Sequence, residues 1–232
     1  MSAPTIVLVH GAFADSASWN GVIARLRADG HRVLAAANPL RGLAADAAYV
    51  ASVLRTVEGP VVLAGHSYGG SVITVAAAGQ PNVAALVYVA AFIPEAGESA
   101  LELTDRFPGS TLGPTTAPAE YPGGTELTIR QDEFPGQFAA DVDSATAALM
   151  AVTQRPVALA ALQEGAAATA WRDVPVYALL TTDDKNIPVA AQRFMAERAG
   201  AVSVEVAASH AVSVSRPEVV AELIGTAVAA VR

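Results

Sequence analysis

The sequence predicts an α/β protein in which a mostly parallel, six-stranded sheet is covered by helices on both faces. Short apolar runs rich in β-branched residues alternate along the chain with stretches whose apolar residues recur at helical spacing. These runs hardly alternate between apolar and polar residues, as expected of strands that are buried on both faces. An alternation of such strands with helices is typical of a parallel sheet.

Six apolar runs are predicted to be the strands: Thr5–Val9, Arg32–Ala37, Pro60–Gly65, Val83–Ala91, Val174–Thr181 and Ser203–Ala207. Amphipathic helices are predicted between them, for example from Trp19 to Leu26 and from Leu43 to Leu54, where apolar residues recur every three or four positions. Pro188 and Pro217 suit first helical positions, and Gly200 suits a helix C-terminus.

Composition excludes several classes of protein. The chain has 232 residues, enough for one domain with a sizeable core. With 53% hydrophobic and 16% charged residues it is not a disordered chain. A formal net charge of −8 repels phosphate, so no nucleic-acid partner is expected. There is no cysteine, which excludes disulfides, a thiolate nucleophile and Cys-ligated zinc.

The apolar stretches are too short for a membrane span. The longest, such as Val83–Ile93, fall short of the ~20 residues that cross a bilayer. Thr5–Val9 is too short for the apolar part of a signal peptide and has no basic residues before it. A cytoplasmic protein without a membrane partner is therefore expected.

The alternation of strands and helices breaks between Phe92 and Arg172. We therefore predict a core formed by residues 1–92 and 173–232, with residues 93–172 inserted as a helical lid over the carboxyl ends of the strands, where open α/β sheets bind ligands. Residues 108–124 show no periodicity, and two helices are predicted near residues 139–152 and 156–164.

A candidate nucleophile lies at the end of the third predicted strand. The strand runs directly into Gly65-His66-Ser67-Tyr68-Gly69, and a helical pattern begins immediately afterwards. A chain that turns sharply from strand to helix crowds the residues around the corner, and glycines relieve that crowding. By chance alone, Gly-x-Ser-x-Gly occurs in roughly one in ten chains of this length. It is the strand–turn–helix setting that favours Ser67 as a nucleophile over an ordinary capping serine.

A serine nucleophile needs a base, and His210 is the best placed of the four histidines. It follows the last predicted strand, and that loop lies at the same sheet edge as Ser67. An acid that orients the histidine is expected after the preceding strand, where Asp183 and Asp184 are both candidates. Spacing does not separate these two aspartates, since one of them could cap the following helix.

Two backbone N–H groups are expected to hold the oxyanion that forms during acyl transfer. One belongs to Tyr68, the residue after the candidate nucleophile. The other is predicted to be that of Ala12, in the loop after the first strand, where Gly11 permits the bend and His10 anchors the loop. No metal or other cofactor is expected, because a base activates the nucleophile and backbone amides stabilise the oxyanion.

Four segments resemble a known family: Leu8-Val9-His10-Gly11-Ala12, Gly65-His66-Ser67-Tyr68-Gly69-Gly70, Thr182-Asp183-Asp184-Lys185-Asn186-Ile187-Pro188 and Ser209-His210-Ala211. They are similar to the α/β-hydrolase branch of plant methyl-ester esterases, hydroxynitrile lyases and related bacterial esterases. The resemblance spans the chain outside the lid. It implies an α/β-hydrolase fold, it selects Asp184 over Asp183, and it supports the amides of Ala12 and Tyr68. Family members often form homodimers, so a homodimer is possible.

The resemblance also separates chemistries within the family. The lyases carry threonine where this chain has Gly11, and lysine where it has Ala211. We therefore expect a serine esterase that cleaves a small, largely apolar carboxylic ester through an acyl-enzyme on Ser67. The alternatives are lyase or perhydrolase chemistry on the same triad, or a protein that binds a small molecule and turns it over slowly. In each case apolar side chains of the lid, with Leu149 and Leu162 as candidates, are expected to contact the non-reacting part of the substrate.

Overall fold

The computed structural model describes residues 3–231, and its centre is a six-stranded sheet. The strands are β1 (Thr5–Val9), β2 (Arg32–Ala36), β3 (Val61–His66), β4 (Val83–Val89), β8 (Val176–Thr181) and β9 (Val202–Val206). They lie in the order β2-β1-β3-β4-β8-β9, and all five strand pairs are parallel. The predicted fold class is confirmed, and every predicted strand is present with bounds that differ by two residues or fewer.

Helices cover both faces of the sheet, because each presents an apolar stripe to it. The helices of the core are α1 (Asn20–Ala28), α2 (Leu43–Leu54), α3 (Tyr68–Ala76), α9 (Val189–Arg198), α10 (Val212–Ser215) and α11 (Pro217–Ala230). Helices α1 and α11 pack against one face, and α2, α3 and α9 against the other. Pro217 begins α11 as predicted, whereas Pro188 lies one residue before α9.

Parallel strands bring the candidate residues to one edge of the sheet. Ser67 directly follows β3, Asp184 lies three residues after β8, and His210 lies four residues after β9. In the ladder, β3 lies between β1 and β4, so the loop after β1 is next to Ser67. The carboxyl ends of all these strands meet at this edge, which is where the sequence places the site.

The segment between β4 and β8 differs from the helical lid that the sequence predicts. It contains a three-stranded antiparallel sheet formed by β5 (Thr116–Tyr121), β6 (Gly124–Ile129) and β7 (Val157–Ala158). Around this sheet lie the short helices α4 (Ala100–Asp105), α5 (Leu112–Thr115), α6 (Phe134–Phe138), α7 (Ser144–Thr153) and α8 (Leu159–Gln163). The hairpin β5–β6 corrects the expectation of an irregular stretch, and the helix predicted from 156 begins only after β7. We keep the name lid for residues 93–172.

The two ends of the lid are joined by hydrogen bonds. The N–H of Gly97 donates to the carbonyl of Ala166 at 2.8 Å, and the N–H of Ala166 donates to the carbonyl of Glu98 at 2.9 Å. The indole N–H of Trp171 donates to the carbonyl of Pro94 at 2.8 Å. The chain thus leaves and re-enters the core at one place. Within residues 3–231, no helix has the length and apolar character needed to cross a membrane.

Candidate active site

Ser67 occupies the strained corner between β3 and α3. Its φ of 54° and ψ of −126° lie in a region that side chains disfavour, and such strain persists only where the surrounding structure imposes it. The corner needs a glycine beside it: a Cβ added to Gly65 would lie 2.5 Å from the carbonyl oxygen of Gly69. The side chain of Ser67 is therefore presented at the sheet edge by the geometry that the motif predicts.

His210 connects Ser67 to Asp184. Its Nε2 lies 2.8 Å from Ser67 Oγ, and its Nδ1 lies 2.7 Å from Asp184 Oδ2. A carboxylate can only accept a hydrogen bond, so Nδ1 carries the proton of the neutral ring and Nε2 accepts from the serine hydroxyl. The structure thus brings together the three residues that the sequence selects, with an imidazole tautomer that can receive the serine proton.

The two neighbouring aspartates differ in their surroundings. Oδ1 of Asp184 accepts the backbone N–H groups of Asn186 and Ile187 at 2.8 and 3.0 Å. Its Oδ2 accepts hydrogen bonds from His210 and from two further side chains. Asp183 is exposed, and its carboxylate accepts only the Thr182 hydroxyl, at 3.3 Å, among the described residues. The geometry therefore places Asp184, and not Asp183, against the histidine.

Two side chains that the sequence analysis did not identify complete the environment of Asp184. The hydroxyl of Thr181 and the amide nitrogen of Gln192 each donate to Oδ2 at 3.0 Å. Gln192 is 1% exposed and sits on the face of α9 that packs against the core, next to Ala191. In the sequence, the only indication of this role is a glutamine on a helix face that is otherwise apolar. That pattern indicates a buried hydrogen bond but does not identify Asp184 as the acceptor.

The two candidate oxyanion donors lie beside Ser67. Ala12 and Tyr68 both line the same cavity as the serine. Among residues 3–231, neither N–H is hydrogen-bonded to a loop or turn carbonyl. The side chain of Tyr68 is held separately, because its hydroxyl donates to Asp46 Oδ2 at 2.9 Å. Burial raises the pKa of the Asp46 carboxyl, and burial together with repulsion from Asp46 raises the pKa of the Tyr68 phenol.

Gly11 lies against the nucleophile. A Cβ added to it would be 2.6 Å from Ser67 Cβ and 2.8 Å from the carbonyl oxygen of His66. Since real Cβ atoms do not approach so closely, any other residue at position 11 would displace the serine or the loop after β1. The close packing that positions the Ala12 amide beside Ser67 depends on this glycine.

His66 supports the loop that carries His210. It is 1% exposed, and its Nε2 donates to the backbone carbonyl of His210 at 2.8 Å. The other ring nitrogen, Nδ1, is buried without a partner among the described residues. Burial, followed by repulsion from His210, lowers the pKa of His66 to about 3. His66 is therefore a neutral structural histidine rather than a base for Ser67.

His10 anchors the loop after β1, as the sequence predicts. Its Nε2 accepts the backbone N–H of Asn38 at 3.0 Å, and its Nδ1 lies 3.0 Å from the carbonyl oxygen of Gly11. Burial lowers the pKa of His10, which keeps the ring neutral. One ring nitrogen thus holds the chain that follows β2, and the other contacts the loop after β1.

The lid contacts the candidate triad directly. The ring of Phe138 meets the ring of His210 edge-on, with centroids 4.9 Å apart. The amide of Gln137 donates to Asn186 Oδ1 at 2.7 Å, and the Ser209 hydroxyl donates to the carbonyl of Phe138 at 3.3 Å. The hydroxyl of Ser209 also contacts Asp141. The loops after β8 and β9 are therefore attached to the lid.

A mostly apolar cavity of about 270 Å³ opens above Ser67. Its floor is formed by the core, and most of its wall by the lid; the lid residues are Ala100, Leu101, Thr104, Asp105, Ser110, Leu112, Gly113, Pro114, Thr116, Leu127, Leu159 and Leu162. Apolar walls with a few polar groups are typical of sites for small molecules. Within residues 3–231, no group of three His, Asp or Glu side chains is arranged to hold a metal ion.

A second groove lies on the other side of Phe13. Phe13 borders both cavities, and the groove is formed by the loop after β1 together with α7. Leu149, a position expected to face the substrate, is 67% exposed and borders this groove. Leu162, the other expected position, lines the cavity above Ser67. The expectation for Leu149 is therefore wrong, because α7 lies outside the main cavity.

Two proteins named as hydrolases are similar in sequence. A pyrethroid hydrolase from Sphingobium wenxiniae is 30% identical over 250 positions, which cover 97% of this chain and 87% of that protein. A carbendazim hydrolyzing esterase from Nocardioides is 39% identical over 110 residues. That match covers 42% of this chain and 46% of the esterase, so it spans less than half of either protein.

Structural comparison gives the same fold. The crystal structure of polyneuridine aldehyde esterase superposes with a TM-score of 0.83 at 21% identity, over 97% of this chain and 99% of that one. Likeness at this level of identity shows the fold alone. A family model described as the alpha/beta hydrolase family matches residues 6–223, almost the whole chain. Together with the Sphingobium relative, this match shows that the chain belongs to the alpha/beta hydrolase family.

Proposed function

We propose that this protein is a serine hydrolase that cleaves a carboxylic ester of a small, largely apolar substrate through an acyl-enzyme on Ser67. The observation that carries the proposal is the position of His210, which lies within hydrogen-bond distance of both Ser67 and Asp184 in the tautomer of a general base. The names of the relatives, an esterase and a pyrethroid hydrolase, support ester cleavage as the reaction class.

In the first half of the proposed reaction, Ser67 attacks the ester. His210 Nε2 takes the proton from Ser67 Oγ while Oγ forms a bond to the carbonyl carbon. The π electrons of the carbonyl move to its oxygen, and the amides of Ala12 and Tyr68 donate to that oxyanion. Removal of one such donor in comparable enzymes costs about 3 to 4 kcal/mol of transition-state stabilisation.

The tetrahedral intermediate then collapses and the alcohol leaves. The electrons return from the oxyanion to form the acyl carbonyl, the bond to the alcohol oxygen breaks, and that oxygen takes the proton from His210. A water molecule repeats the sequence on the acyl-enzyme, giving up one proton to His210 and releasing the carboxylic acid. Ser67 regains its proton, so the enzyme is unchanged.

Asp184 orients His210 and stabilises its cationic form in both halves of the reaction. Five hydrogen bonds fix this carboxylate, so the imidazole can return to one position after each proton transfer. The residue need not be protonated itself. The His66 side chain holds the backbone carbonyl of His210.

Hydrolysis of p-nitrophenyl acetate by the full chain tests the proposal. We expect a burst of p-nitrophenol followed by steady turnover, with full activity in EDTA, because no step uses a metal. Ser67→Ala is expected to remain folded and to lose at least ~10³-fold in kcat, since nucleophile and base act as a unit.

A covalent probe identifies the nucleophile independently of the substrate. An organophosphate or a sulfonyl fluoride should form an adduct that mass spectrometry places on Ser67, and Ser67→Ala should form none. The matched control is Ser71→Ala, which replaces a buried serine of α3 outside the cavity lining. This variant should still form the adduct on Ser67. An adduct on another serine of the active enzyme would show that the assignment is wrong.

A further inference from the structure

The charged groups around the cavity above Ser67 are unevenly distributed. Asp105 is the only Asp, Glu, Lys or Arg residue among the described residues that line it. The remaining polar lining side chains, such as Thr104 and Asn186, are neutral. A carboxylate on a bound substrate would therefore have no cation to pair with, and burying it would be unfavourable.

Helix α4 presents Asp105 to the cavity. Leu101, Thr104 and Asp105 are three and four residues apart, so they share one face of the helix, and all three line the cavity. Asp105 is also exposed to solvent, which places it where the cavity opens.

Asp105 has no partner that explains its position. Within residues 3–231 its carboxylate takes part in no ion pair; the adjacent cation, Arg106, instead pairs with Glu98 at 2.8 Å. Asp105 is the last residue of α4, and the negative end of a helix dipole is an unfavourable place for a carboxylate. No cation among the described residues therefore neutralises this charge, so its field acts on an ionic molecule that enters the cavity.

We propose that Asp105 selects substrates by charge: the site accepts uncharged and positively charged esters and rejects esters that carry a carboxylate near the scissile bond. The inference rests on the proposed ester hydrolysis and specifies its substrate class. A charge at the mouth of a cavity with apolar walls acts on both the approach and the binding of an ionic substrate. The acidic balance of the whole chain acts in the same direction over longer distances.

Three p-nitrophenyl esters with acyl chains of similar length test the proposal. One is neutral (valerate), one ends in a carboxylate (hemiglutarate) and one ends in a trimethylammonium group. For Asp105→Asn, we expect kcat/KM for the anionic ester to rise about five-fold and that for the cationic ester to fall about five-fold at low salt. The value for the neutral ester should stay within about two-fold, and added salt should shrink both changes.

Asp29→Asn is the matched control, because it removes the same charge from an exposed position outside the cavity lining. It should leave the ratios between the three esters unchanged. Equal changes for the three esters in Asp105→Asn, or the same change of ratios in Asp29→Asn, would overturn the proposal.

A binding measurement separates this proposal from the proposed hydrolysis. Methyl ketones that carry the same three end groups cannot be hydrolysed, and their dissociation constants can be measured by calorimetry on wild-type protein and Asp105→Asn. If no ester is turned over, the proposed function fails, yet a charge-dependent shift in ketone binding would still support selection by Asp105. If the dissociation constants of the three ketones are the same for wild type and Asp105→Asn, selection by Asp105 is overturned even if the protein is an active esterase.

Discussion

The Asp184 end of the candidate triad and the lid wall of the cavity are held by different kinds of contact. Asp184 accepts five hydrogen bonds, from two backbone N–H groups and three side chains. The apolar part of the lid wall includes five leucines, among them Leu127 and Leu162, which pack without directional bonds. Hydrogen bonds fix angles and distances, whereas apolar packing tolerates changes of shape. From this difference we expect that chemistry and substrate choice can be altered separately in this molecule.

Breaking the hydrogen-bonded end should have the largest effect. Asp184→Asn replaces an acceptor with an amide that can turn His210 into the wrong tautomer and cannot stabilise its cation, so kcat should fall by about 10³- to 10⁴-fold. Asp183→Asn is the matched control next to it and should stay within about two-fold of wild type, because its side chain lies outside the triad. Steady-state kinetics with p-nitrophenyl acetate measure both. The reverse ranking would move the orienting role to Asp183.

Altering the apolar wall should have a smaller and more selective effect. Leu162→Ala enlarges the cavity and should change the ratio of kcat/KM between a long-chain and an acetate ester by about ten-fold, the lower end of what one methylene group contributes in an apolar pocket. Leu149→Ala, in the separate groove on α7, should leave the ratio unchanged. If Leu162→Ala lowers turnover of all esters by one common factor, the wall and the triad are coupled, and the comparison fails.

The last expected effect concerns stability rather than rate. Folded His66 has a pKa of about 3, while an exposed histidine has one near 6.5, so below pH 6.5 the unfolded chain binds a proton that the folded chain does not. Stability from this residue is thus complete above pH 6.5 and falls as the pH decreases towards 3, by about 2 kcal/mol at pH 5.

The variant His66→Gln tests this dependence, since the glutamine amide can still donate to the His210 carbonyl. Urea denaturation at pH 7 and pH 5 should show a smaller loss of unfolding free energy for the variant than for wild type. Equal losses would mean that His66 takes up its proton without unfolding and that the buried Nδ1 is not the cause.

Features that local sequence determines were predicted well. The turn from strand to helix at Ser67 needs glycines beside it, and these glycines are visible in the sequence. Asp184 and His210 each follow a strand, and a parallel sheet brings the ends of those strands to one edge. Roles for these residues remain predictions until they are tested by kinetics. Their placement, however, needed only the rule that parallel strands end at one edge.

Features that depend on distant partners were not predicted. The hairpin of β5 and β6 has a turn signal at Pro122 and Gly123 and an apolar alternation at Leu127 and Ile129, but no strand signal strong enough to outweigh the surrounding loop. The contact of Gln192 with Asp184, and that of His66 with the His210 carbonyl 144 residues away, arise only when the chain has folded. No periodicity in one sequence encodes such pairs.

The contact between Gly11 and Ser67 limits how this chain can diversify. A threonine at position 11, as the resembling lyases carry, would clash with Ser67 through its Cβ. Rotation about χ1 does not move Cβ, so no rotamer of the threonine relieves this clash. The backbone after β1 must shift before the new side chain can function. A single exchange at this position is therefore expected to need companion changes in the loop after β1, whose anchor His10 accepts the N–H of Asn38.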